Sequence, residues 1–180
     1  VTADVSAFDE GEISLSSTKG DTYSKTITLD GSLEEGAQSV TVSATDDLGN
    51  GGGQDSNSNE LTVDTTPPSI TSVTITDATD GNGILAAGDD LTITATVTDV
   101  TAVDTVRADA AAFDNATVTL EETATDTYET TVTVGNDPAE FDQSVTVSAT
   151  DSAGNGGGQA SASNALTVDL TPPATADDAG

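Results

Sequence analysis

Laid against itself with a shift of 105 residues, the chain aligns Val1–Pro68 with Val106–Pro173 without a gap, and 39 of those 68 positions are identical. "ADVSAFD" falls on "ADAAAFD", "DTYSKTITL" on "DTYETTVTV", and "QSVTVSATDDLGNGGGQ" on "QSVTVSATDSAGNGGGQ". A repeat of this kind means that one structural unit is built more than once, so a fold argument has to hold for both copies. One full repeat runs over 69–173. It is preceded by the last two-thirds of another, and 174–180 reads as the start of a third or a tail.

Within the repeat the apolar residues alternate in twos, the period of a half-buried strand. Leu91, Ile93, Ala95 and Val97 fall on one face and Thr92, Thr94, Thr96 and Thr98 on the other. Val145, Val147 and Ala149 repeat the pattern, as do Tyr128, Thr130, Val132 and Val134. Seven strands are expected, near 69–76, 91–99, 103–109, 116–121, 127–134, 144–151 and 164–169. Turn chemistry separates them at "DGNG" (80–83), "GND" (135–137) and "GNGGG" (154–158). No segment holds a helical period, so almost no helix is expected.

Seven short strands in one repeat suggest an all-β, immunoglobulin-like sandwich repeated in tandem. "SATDSAGN" followed by "LTVDLTPP" resembles the last two strands and linker of bacterial and archaeal Ig-like repeats, and "SITSVTITDATDGNGILAAGDDLTITATVTD" resembles their first two. Such repeats build surface adhesins, biofilm proteins and haloarchaeal surface-layer or filament proteins. The resemblance therefore implies an extracellular, structural chain. The expected domains are 1–68, lacking its first two strands, and a complete 69–173. A sandwich without two strands leaves its core and an edge open. Either a preceding part of the same polypeptide supplies them, or a neighbouring subunit does so by strand complementation.

Charge narrows the setting. The chain has 32 acidic and three basic residues and no histidine, a net charge of −29. Nucleic-acid binding needs basic side chains to replace phosphate counterions, and Lys19, Lys25 and Arg107 form no patch. The acid excess fits a surface kept solvated in brine, divalent-cation binding, or plain solubility. In ~1 M salt the Debye length is only about 3 Å, which screens the self-repulsion. A halophilic source, an archaeon, is the favoured reading. With no cysteine there is no disulfide framework or thiol chemistry. No stretch reaches membrane-spanning length. Because it begins at Val1, the chain is expected to be a processed product or a window of something longer.

The repeated "GNGGGQ", at 49–54 and 154–159, follows an apolar strand as a phosphate loop does. A phosphate loop needs a helix N-terminus behind it and usually a lysine, whereas another strand follows here. A long hairpin loop with glycines at positive φ is expected instead. When such sandwiches are strung head to tail, the end of one last strand meets the loops at the entry pole of the next. That ordering is expected to bring Asp64 near Asp99, Asp151 and Asn155, beside the carbonyls of "DTTPP". Hard oxygen ligands without nitrogen or sulfur suit calcium, and related adhesin repeats hold calcium at such junctions. A second candidate is the glycine-punctuated loop "DATDGNGILAAGD", with Asp77, Asp80, Asn82 and Asp89, although its spacing departs from the EF-hand pattern. The bland reading of both is solvated aspartates at strand ends.

Catalytic groups are scarce. There is no histidine base, no cysteine nucleophile and no serine with an activating partner. Paired carboxylates alone do not make a glycosidase site without an aromatic platform for sugar. A Lys–Asn isopeptide staple could not recur, because Ala124 and Thr130 stand where the first repeat has Lys19 and Lys25. One glycosylation sequon, Asn115–Thr117, precedes a strand. The expected function is a non-enzymatic surface stalk, filament or layer, self-associating with identical chains or adjacent repeats, with "TPP" linkers stiffening the joints. The alternatives are a carbohydrate- or cell-binding adhesive module, or an appendage of a secreted enzyme.

Overall fold

The computed structural model describes residues 1–29 and 33–171. The second Pro-Pro pair, Pro172–Pro173, and the tail at 174–180 lie outside the described residues. The chain forms two compact units, Val1–Thr65 and Thr66–Gly180. Among the described residues there is no α-helix, only short 3-10 turns at Ser6–Phe8 and Ala111–Phe113.

Unit 1 contains β1 (Thr2–Asp4), β2 (Glu12–Ser14), β3 (Ser16–Lys19), β4 (Thr22–Ser24), β5 (Gly36–Gln38), β6 (Thr41–Thr45), β7 (Gly51–Ser56) and β8 (Leu61–Val63). They pair as a sheet β2-β1-β6-β7 and two ribbons, β3-β4 and β5-β8. Ala3, Val5, Phe8 and Val63 form a small buried core.

Unit 2 begins with β9 (Ser69–Asp77), β10 (Ile84–Leu85), β11 (Asp90–Thr98), β12 (Val103–Asp109) and β13 (Thr117–Ala124). It continues with β14 (Thr127–Thr133), β15 (Phe141–Gln143), β16 (Thr146–Asp151), β17 (Gly156–Ser161) and β18 (Leu166–Val168). Seven strands hydrogen-bond in the order β17-β16-β12-β13-β14-β11-β9. β13 turns the corner: Thr117–Leu120 pair with β12, and Glu121–Ala124 pair with β14 across a register shift. A strand that changes sheets in this way folds one ladder into two facing layers, and β17 and β9, its two ends, pack together. The remaining sheet is β10-β18-β15, with β10 and β18 parallel. The result is an all-β sandwich.

Alternation explains why β11 sits in the middle of the core. Leu91, Ile93, Ala95 and Val97 are fully buried and cluster with Phe113, Leu120, Val132, Val147 and Val168. The threonines between them face outward, where Thr92 Oγ1 meets Thr131 Oγ1 at 3.1 Å and Thr94 Oγ1 donates to Glu129 at 3.3 Å. Such cross-strand pairs hold the solvent face in register.

The glycine stretch differs from the long loop expected of it. Only residues 152–155 turn, closed by Asp151 N donating to Asn155 O at 3.1 Å. From Gly156 the chain is strand β17, paired along β16 from Ala149↔Gly158 to Thr146↔Ser161. Gly154 and Gly157 do take positive φ, at 93° and 129°, as a tight turn and a bulge require. Gly158 has another reason to be glycine. A Cβ there would collide with the carbonyl oxygen of Pro68, which lies over it where the chain enters β9. Residues 66–68 thus lie with the second unit.

Candidate metal centre

Asp151 ends β16 and is the one buried charged side chain among the described residues, 2% exposed. It accepts the Asn155 backbone N–H at 2.8 Å and the Asn155 Nδ2 at 2.9 Å. Burial acts to raise its pKa. The side-chain and backbone bonds from Asn155, with those from Gly154 and Ala153, outweigh burial and hold the carboxyl below its ordinary value. Asp151 therefore stays an anion while nearly removed from water, the state a hard cation needs in a ligand.

Asp99 follows β11 and accepts from Thr101 N at 3.3 Å and Thr101 Oγ1 at 3.0 Å. Its loop is laced to the end of β16, because Ser152 N donates to Ala102 O at 2.8 Å and Val103 pairs with Asp151. A depression of about 230 Å³ beside it is lined by Thr66, Pro67, Ser69, Thr98, Asp99 and Val100. The linker backbone and Asp99 thus share one hollow of unit 2. Asp64 directly follows β8, half-buried. Within unit 2, a carboxylate oxygen of Asp99 and one of Asp151 lie within 4.8 Å of each other, close enough to share a metal ion. Oxygen-only donors suit a hard cation such as magnesium, calcium or manganese.

The second candidate loop is organised around its own backbone. Asp77 accepts N–H bonds from Thr79 at 2.9 Å and Gly83 at 3.2 Å. Burial acts to raise its pKa, but these bonds win and the carboxyl is lowered. Asp80 binds the Asn82 N–H and Nδ2, Asn82 Oδ1 takes the Ile84 N–H at 2.6 Å, and Asp89 caps Ala86 N at 2.8 Å. Each side chain closes a turn between β9 and β11. Asn115 is half-buried, and its Nδ2 donates to Phe113 O at 3.1 Å and Thr133 O at 2.8 Å. A glycan on that nitrogen has to displace one of these bonds.

One functional side chain escaped the sequence reading. Asn164 lies between β17 and β18. Its Oδ1 accepts from Ile75 N at 3.1 Å and its Nδ2 donates to Ile75 O at 2.7 Å. The amide thus reads the β9 backbone as a neighbouring strand does. Ser163 N adds a bond to Val73 O at 2.9 Å. The only signal was an asparagine shared by "SNSNE" and "SASNA".

No protein-family model matches the chain. Among curated proteins it is similar to halomucin of Haloquadratum walsbyi, at 48% identity over 103 residues. The match covers 54% of this chain and 1% of halomucin. Among the described residues no helix is long and apolar enough to cross a membrane.

Proposed function

We propose that the chain is a non-catalytic structural module of a halophile's cell surface, part of a stalk, filament or layer made of tandem immunoglobulin-like sandwiches. The observation that carries this reading is the 48% identity to halomucin of Haloquadratum walsbyi over more than half of the chain. The net charge of −29 supports the same setting, since only high salt screens such self-repulsion at close range. In this reading 1–68 is an incomplete domain, 69–173 a complete one, and 174–180 the start of the next repeat or a tail. The polypeptide self-associates with adjacent repeats or identical chains.

The mechanism is spacing. Pro67 and Pro68 fix φ and bias the preceding residue toward an extended backbone, which makes the joint semi-rigid. Calcium held by Asp64, Asp99 and Asp151, with Asn155 orienting Asp151, neutralises the carboxylates and stiffens it further. Without the ion, like charges splay the joint. Small-angle scattering in molar salt tests this: chelation is expected to broaden the interdomain distance distribution and calcium to restore it. Superimposable curves with and without chelator would remove the ion from the mechanism. Labelling intact source cells with an antibody to the chain tests location, and an intracellular signal alone would end the surface reading.

A further inference from the structure

Unit 1 carries an apolar groove of about 390 Å³, floored by residues including Ala3, Phe8, Ile13, Leu15, Ile27 and Val42. Adding 105 to these numbers gives Ala108, Phe113, Val118, Leu120, Val132 and Val147, which in unit 2 lie in the core built with β9 and β11 or, for Val118, pack against it. On the groove's rim Leu29 and Leu61 are 47% and 56% exposed, whereas their counterparts Val134 and Leu166 are 2% and 7%. The ladder is cut at the same place. β14 runs from Thr127 to Thr133 against β11, but its counterpart β4 stops at Ser24, and residues 25–29 form no strand.

Unit 1 also keeps two groups that unit 2 uses to hold β9. Asn59 is the counterpart of Asn164, the amide clamped on the Ile75 backbone, and it is exposed. Gly53 is the counterpart of Gly158. A Cβ at 158 meets the Pro68 carbonyl, whereas a Cβ at 53 meets nothing within 4 Å. An amide that reads backbone and a glycine that admits a carbonyl are fittings for a β-strand, not for a small molecule or a helix.

We infer that the unit 1 groove is an acceptor for an antiparallel strand pair of the 67–98 type, carried by another part of the same polypeptide. The inference rests on the tandem-repeat reading above and names the partner of this unit. A second copy of the chain is a poor donor, because giving up its own segment opens its unit 2 by the same amount. The incoming pair lays one strand along residues 22–29, as β11 lies along β14, and its edge strand against Asn59 and Gly53.

The test adds a synthetic peptide of residues 67–99 to the full 180-residue chain in molar salt, and follows binding by calorimetry and amide hydrogen exchange. The expected result is one peptide per chain and exchange at Lys25–Leu29 slowed by about tenfold or more. Asn59→Ala and Gly53→Ala are expected to leave the free chain's spectrum intact and weaken the peptide by about tenfold each. Should the peptide prove insoluble, a second copy of residues 67–105 fused ahead of Val1 is expected to protect the same amides. Three results would overturn the inference: 25–29 left open by both peptide and fusion, equal protection by a scrambled peptide, or a free chain that is already a dimer with 25–29 protected. None of these reads cell location or calcium, so failure here is distinct from failure of the surface-module reading.

Discussion

The two units share a strand plan and 39 of 68 aligned residues, yet one is closed and the other open. β7-β6-β1-β2 in unit 1 repeats β17-β16-β12-β13 in unit 2, and β5-β8 repeats β15-β18. Even the register is kept, since Ala3↔Val42 becomes Ala108↔Val147. What differs is the segment from β9 to β11, which supplies Val73, Ile75, Leu85, Leu91, Ile93, Ala95 and Val97 to the unit 2 core. Burial is therefore not a property of a residue or of its local strand. Leu61 and Leu166 sit in identical "LTVD" runs, and the rest of the unit decides which of them is inside.

Paired substitutions at equivalent positions can break this comparison. The largest difference is expected at the leucines. Leu166→Ala removes a buried side chain and is expected to cost about 2–5 kcal/mol. Leu61→Ala, on a half-exposed rim, is expected to stay within about 0.5 kcal/mol. Urea unfolding followed separately in each unit by NMR reads both, and equal losses would mean that unit 1 is as closed as unit 2. Next come the asparagines. Asn164→Ala strands the Ile75 N–H and C=O and is expected to cost about 1–3 kcal/mol, whereas Asn59→Ala is expected to be near neutral in the same measurement.

The smallest effect is one the two units share. Asp46 repeats the Asp151 clasp. Its carboxyl is lowered by the Asn50 side chain first and then by backbone bonds, with Asn50 N at 2.8 Å and Asn50 Nδ2 at 2.9 Å. Both groups have folded pKa values below the unfolded one, about 3.9 for Asp. Their stabilisation is thus complete above that value and is lost as pH falls through the lowered folded pKa. Thermal midpoints in molar salt are expected to fall in both units as pH drops below about 4. Asp46→Asn and Asp151→Asn are each expected to flatten that fall in their own unit only. A pH profile unchanged by either substitution would dissociate the clasp from stability.

The all-β sandwich was legible because alternation over Leu91–Val97 and Val145–Ala149 has one physical meaning, a strand with one face buried. β17 was not legible. Gly156–Ser161 has almost no strand propensity of its own, and only the ladder along β16 and the Pro68 carbonyl over Gly158 make it a strand. The two-residue β10 and three-residue β15 were missed because neither is long enough to show a period. Of the candidate site, Asp151 and Asn155 could be found as polar residues flanking a turn. The Asn164 clamp could not, because its partner Ile75 is 89 residues away in sequence.

The parallel pairing of β10 with β18 has a mechanical consequence. Ile84↔Thr167 and Leu85↔Val168 run side by side, extended by Thr167 N to Gly83 O and Asp169 N to Leu85 O at 3.2 and 3.0 Å. Tension drawing β18 outward along its own axis must slide it past β10, loading these bonds in shear together instead of unzipping them singly. Among the described residues β8, with the same sequence, has only β5 beside it. A strand pair seated in the unit 1 groove supplies the missing neighbour, and with it the same resistance to a pull.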